Sequence, residues 1–285
     1  MSGSAILASL ADTLGREEDV PLVRNGRYIA LVGAALSGAL LVKDLGRPER
    51  FLNMLRMLKL GSPMSVGTWA LSWFSLNAGS TVSAQLARDG ILPFDPFGFV
   101  PLPLRNAMLA LSGALMALYT GVLVAATAIP VWYSGRRYIP AIFVASGAAK
   151  ACSLNIALLA LAGASSRTIG KLERIETLAA SAELVLLAAY KQGAGAAAKP
   201  LFAGPIGRRM RIWTQLLGVA LPLALNLPAW WRREDEPADS KRRLPLVTLT
   251  GSALALYGGY VLRESVVLAG RLSADDPKPV LQIPQ

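Results

Sequence analysis

Seven predominantly apolar stretches dominate this chain, at about residues 22–43, 64–87, 105–131, 139–163, 172–193, 211–231 and 245–270. A helix rises about 1.5 Å per residue, so each is long enough, or nearly so, to cross roughly 30 Å of hydrocarbon. Lipid offers the backbone no hydrogen-bond partners, which leaves helices and closed barrels as the spanning structures. The alternating pattern of barrel strands is absent. The expected fold is therefore all-α: one polytopic transmembrane bundle over residues 1–285. Composition agrees, with 53% hydrophobic and 16% charged residues and a mean hydropathy of +0.45.

The N-terminus does not follow the pattern. "GSAILASLADTLGREED" reads as about three turns of apolar helix closed by a charged loop, with Pro21 opening the first long run. Residues 1–14 are too short to cross a bilayer and lack the basic n-region and small-residue site of a cleaved signal. They are either a short interfacial helix or the second half of an eighth span. Seven full spans plus this half-helix are expected, with residues 271–285 as a tail. Small residues within the runs, as in "VGAALSGAL" and "GSALALYGG", allow close helix approach, and tryptophans and tyrosines near the ends suit interfacial anchoring.

What is missing constrains chemistry as much as what is present. With no histidine, a b-type haem held by histidine pairs is excluded, and with Cys152 the single cysteine, neither a four-thiolate iron–sulfur cluster nor an internal disulfide can form. Cys152 lies in an apolar run and reads as a small core hydrophobe. The net charge of +11 sits largely in loops, which suits anionic lipid or an acidic protein surface better than nucleic acid. If the N-terminal stub counts as a span, the two faces carry nearly equal numbers of cations. The anions concentrate on one of them, leaving the other, which holds the 44–63 loop, electropositive.

That loop, within "KDLGRPERFLNMLRMLKLGSPMS", is basic and bounded by prolines. Over residues 48–60 it predicts an amphipathic helix lying in the interface. Phe51, Met54, Leu55 and Leu58 are on one side, and Arg50, Asn53, Arg56 and Lys59 on the other. It is either a solvated basic loop or the roof of a polar cavity. Polar residues inside the apolar runs are costly and so are candidates for function. Lys150 and Glu183 each lie about eleven residues into their runs, at matching depth for a buried pair with a structural or a proton-conducting role. Arg263 and Glu264 are adjacent on the last run and should face different neighbours. Asp44, Trp69, Tyr119, Arg263 and Glu264 all fall toward the electropositive face, which suits a pocket for a small amphipathic ligand better than a through-channel.

"DLGRPERFLNMLR" followed by "SPMSVGTWAL" resembles the signature of the polysulfide reductase/NrfD family of membrane subunits. "YTGVLVAATAIPVW", "KLERIET" and "YGGYVLRESVVLAG" resemble later stretches of the same family. The resemblance implies an eight-helix subunit in the bacterial inner membrane that anchors a four-cluster iron–sulfur protein, often with a molybdopterin catalytic subunit beyond it. It also implies exchange of electrons with menaquinone or ubiquinone, without haem or cluster in this chain.

By that resemblance Asp44 corresponds to the acidic residue beside the quinone, and Tyr119 to the tyrosine that hydrogen-bonds a quinone carbonyl. Arg47 and Trp69 complete the expected quinone set. Asp44, Lys150, Glu183 and Glu264 are the proton-transfer candidates, and Arg50, Arg56 and Lys59 the docking cations. The expected function is a quinone-binding subunit of a respiratory oxidoreductase complex, not a catalyst alone. A secondary transporter and a purely structural anchor are the alternatives. Against the transporter, the chain has no internal repeat and no matched pair of broken spans.

Overall fold

The structure is a computed structural model that describes residues 1–44, 46, 49–56, 58–59, 61–227 and 245–275, with backbone alone at 49–52, 196 and 245. Among the described residues every regular element is helical. The chain divides into two compact units, Met1–Tyr119 and Thr120–Gln285.

The first unit contains α1 (Ser2–Leu14), a 3-10 turn (Glu17–Asp19), α2 (Val20–Asp44), α3 (Glu49–Arg56), α4 (Pro63–Arg88) and all but the end of α5 (Leu102–Ala125). α1 lies close along the first turns of α2. A Cβ on Gly26 would stand 2.7 Å from the Cβ of Ala8 and from the Ser4 carbonyl oxygen, so glycine is what permits this approach. Ser62 caps α4, its hydroxyl accepting the Ser65 N–H at 3.4 Å, with Pro63 in the first turn. The helix ends at Gly90, whose φ of +71° lets Ile91 N–H reach back to the Leu86 carbonyl at 2.9 Å. The core between these helices is built largely from small residues, Ala5, Ala30, Ala34 and Ala78, around Leu71, Phe74, Leu109 and Met116. Large aliphatics point the other way. Val32, Leu36 and Leu40 recur every fourth residue on the exposed side of α2, and Leu111, Leu115 and Leu118 recur at steps of four and three on α5. Such stripes are costly in water and ordinary against lipid.

The second unit holds α6 (Pro130–Ser134), α7 (Ile139–Leu161), α8 (Ser166–Gly193), a 3-10 turn (Gly195–Ala198), α9 (Lys199–Phe202) and α10 (Gly204–Arg209). A π-helix (Met210–Ala220), α11 (Leu221–Asn226) and α12 (Pro245–Asp275) follow. α7 packs on α8 and on α12, and α12 also packs on the π-helix. Gly218 and Gly258 bring the π-helix and α12 together, since a Cβ on Gly218 would meet the Gly258 Cα at 2.6 Å. Tyr190 anchors one end of the unit, stacked on Tyr138 and donating to the Val131 carbonyl at 2.6 Å.

Among the described residues three helical stretches are long and apolar enough to cross a membrane: Glu17–Asp44, Leu102–Ala125 and Ile139–Leu161. The helices α4, α8 and α12, of 26, 28 and 31 residues, have the length but carry more serine, threonine, glycine or charge. The stretch at 105–131 is broken: α5 stops at Ala125 and α6 starts at Pro130, with Ile129 extended before the proline. The interfacial helix expected over 48–60 is shorter, Glu49–Arg56, and Pro48 lies outside the described residues.

Candidate functional site

Tyr119 sits near the end of α5 in the first unit and lies over Gly67 of α4. A Cβ on Gly67 would collide with its ring and hydroxyl. The hydroxyl donates to the Pro63 carbonyl at 2.7 Å, in the first turn of α4. The ring is half-buried, so this phenol is a positioned donor with one side accessible. Asp44 is exposed at the C-terminal end of α2. Trp69 is exposed too, and stands about 200° around α4 from Gly67, on the side away from Tyr119. Arg47 lies outside the described residues, and only the backbone of Arg50 is described. Arg56 and Lys59 are exposed, and Lys59 N–H donates to Ser65 Oγ at 3.1 Å, tying the loop to the start of α4.

In the second unit Lys150 and Glu183 meet across α7 and α8, Nζ to Oε2 at 3.3 Å, both buried. Lys150 Nζ also donates to the Gly218 carbonyl of the π-helix at 3.2 Å. Its stem runs across Gly259 of α12, where a Cβ would stand 2.8 Å from Lys150 Cγ. The lysine thus lies in a cradle formed by three helical segments. Arg263 and Glu264 do face different neighbours. Arg263 donates to the Gly259 carbonyl at 3.0 Å and lies over the Phe143 ring, while Glu264 pairs with Arg209 at 2.7 Å.

Two further polar clusters did not stand out in the sequence. Arg27, near the start of the 22–43 run, is fully buried. It donates to Asp12 at 2.8 Å, Gln85 at 2.9 Å and Asn106 at 3.1 Å, joining α1, α2, α4 and α5. Nearby, Arg105 binds Asp95 at 2.6 Å and the Ser80 carbonyl at 2.8 Å. In this loop the Arg105 hydrogen bond, helped by Ser83 and the Phe97 N–H, holds the Asp95 carboxyl below its ordinary range. The second cluster is on α8, where Glu173 and Glu176, inside the "KLERIET" stretch, are buried along with Glu183. Their spacing of three and seven residues places all three on the packed side of the helix.

The family model described as "Polysulphide reductase, NrfD" matches residues 1–273. The chain belongs to the NrfD family. Among curated proteins and solved structures, nothing matches it. Membership, together with the apolar helices, makes the chain a multi-pass integral membrane protein and a membrane subunit of an oxidoreductase complex. NrfD proteins generally partner with iron–sulfur and molybdopterin oxidoreductase subunits.

Proposed function

We propose that this subunit binds quinone or quinol on the face where α4 begins, and exchanges electrons with an iron–sulfur partner docked there. The observation that carries the reading is Tyr119. Its phenol is oriented by Gly67 and by the Pro63 carbonyl, is half-exposed, and lies in a family member with no histidine to hold haem. A quinone taking up two electrons develops negative charge on its carbonyl oxygens, and a fixed hydrogen-bond donor stabilises that charge. Tyr119 becomes that donor when its single O–H turns from the Pro63 carbonyl to the quinone oxygen. Asp44, at the solvent-facing end of α2, is the group that gives or takes the accompanying proton.

Menaquinone and ubiquinone both fit this chemistry. Arg47 completes the proposed quinone set, Trp69 stands on the exposed side of α4 where an isoprenoid tail would run, and Arg50, Arg56 and Lys59 are the proposed docking cations. Lys150, Glu183 and Glu264 remain as inner proton-transfer groups. We place the protein in the bacterial inner membrane as an eight-helix architecture.

Purification of the tagged chain from its native membrane tests the reading. An iron–sulfur protein with the paramagnetic signals of several clusters, and extractable quinone in stoichiometric amount, are expected. A chain that purifies alone and quinone-free would overturn the assignment. The second reading, a secondary transporter, is favoured by the Lys150–Glu183 pair beside a π-helix and predicts that solitary chain.

A further inference from the structure

Glu176 lies in the second unit, and nothing in the quinone reading uses it. It is 5% exposed, and its hydrogen-bond partners are a hydroxyl and an amide: Ser153 Oγ of α7 on Oε1, and Asn226 Nδ2 of α11, which donates to Oε2 at 2.8 Å. Neither partner is a cation. A buried carboxylate with no cation bonded to it is strongly disfavoured, whereas Glu183 on the same helix is bonded directly to Lys150.

Hydrogen-bond counting points the same way. Ser153 Oγ is also 3.0 Å from the carbonyl oxygen of Ala149, one turn back in α7. A hydroxyl has one proton to give, and an ionised carboxylate can only accept. If Ser153 donates to Ala149, its contact with Glu176 needs a proton on Oε1. A neutral carboxyl satisfies every contact at once, its O–H donating to Ser153 and its carbonyl oxygen accepting from Asn226.

The site also has an entrance. A cavity lined by Glu173, Glu176, Asn226, Thr248 and Ser252 has room for a water molecule and is partly open to the outside. We propose that Glu176 is a proton-binding site: a neutral carboxyl that exchanges its proton through this cavity. On unloading, the Glu176 O–H bond breaks and the proton passes to a cavity water, which hands it to the outside; loading is the reverse. The titratable groups around it are Glu173 one turn earlier on α8, and Lys150 and Cys152 on α7. The cavity residues from α11 and α12 are uncharged.

Dicyclohexylcarbodiimide, which modifies protonated carboxyls in apolar surroundings, tests this on the full-length protein in its intact complex. Peptide mapping should find the adduct on Glu176, weakening as the pH is raised. Glu176→Gln should abolish the infrared band of a protonated carboxyl and leave thermal stability unchanged, because the amide reproduces both hydrogen bonds. Absence of an adduct on Glu176 while other carboxyls react would overturn the proposal, as would a band that survives the substitution. Protection by sodium at constant pH would also overturn it, in favour of a metal-cation site. The mapping uses wild-type protein, so it stands even if the variant does not fold. Neither measurement involves quinone, so the two proposals fail independently.

Discussion

The two units handle buried charge in opposite ways. In the first, Arg27 binds three side chains from α1, α4 and α5, at the ends of those helices. Arg88 adds a contact to Asp12 at 3.2 Å from the exposed side. Charge there is paired with carboxylates and works as a rivet, although Arg27 Nε and Arg105 Nε have no hydrogen-bond partner among the described residues. In the second unit the charge lies in mid-helix. Lys150 spans a looser 3.3 Å to one oxygen of Glu183, the other oxygen has no hydrogen-bond partner among the described residues, and Glu176 is hydrogen-bonded by a hydroxyl and an amide, with Lys150 only nearby. Spare hydrogen-bonding capacity at depth is costly to maintain, which is the signature of groups kept for chemistry more than for stability.

Arg27→Met should give the largest effect. It strips Asp12 of its buried partner and loosens four elements, and a loss of about 3–5 kcal/mol is expected for breaking a buried ionic network. Thermal unfolding of the detergent-solubilised protein would report it. Glu183→Gln should cost less, about 2 kcal/mol, because Lys150 keeps its hydrogen bond to the Gly218 carbonyl. If the second substitution proved more damaging than the first, the contrast between rivet and reserve would be reversed. The smallest effect concerns acid. Asp95 has its carboxyl held down by Arg105, so its contribution is complete above the ordinary carboxylate range. It fades as pH falls below about 4 through the lowered value. Stability measured against pH should therefore fall more gently at the acid end in Asp95→Asn than in wild type.

Much of the architecture was legible because lipid demands it: long apolar runs must become helices, and the glycines and alanines among them mark where helices touch. Lys150 and Glu183 were legible for the same reason, since charges at matching depth need each other. Arg27 was not, because it sits near the start of its run like an interfacial cation. The packing of α1, α4 and α5 around it, through Asp12, Gln85 and Asn106, buries it. Glu173 and Glu176 were hidden by their neighbours Lys171 and Arg174, which give the start of α8 the look of a solvated helix; α11 and α12 lie over them in space. The π-helix had no sequence signal, because its register depends on the contacts of Thr214 and Gly218 with α12 and α7.

The central claim is that Tyr119 is the hydrogen-bond donor to quinone. Quinone-dependent electron transfer by the intact complex, compared between wild type and Tyr119→Phe, tests it most directly. Loss of one hydrogen bond made to the reacting oxygen should slow turnover by about tenfold while the iron–sulfur partner stays bound. A Tyr119→Phe complex that is fully assembled and turns over at the wild-type rate would contradict it.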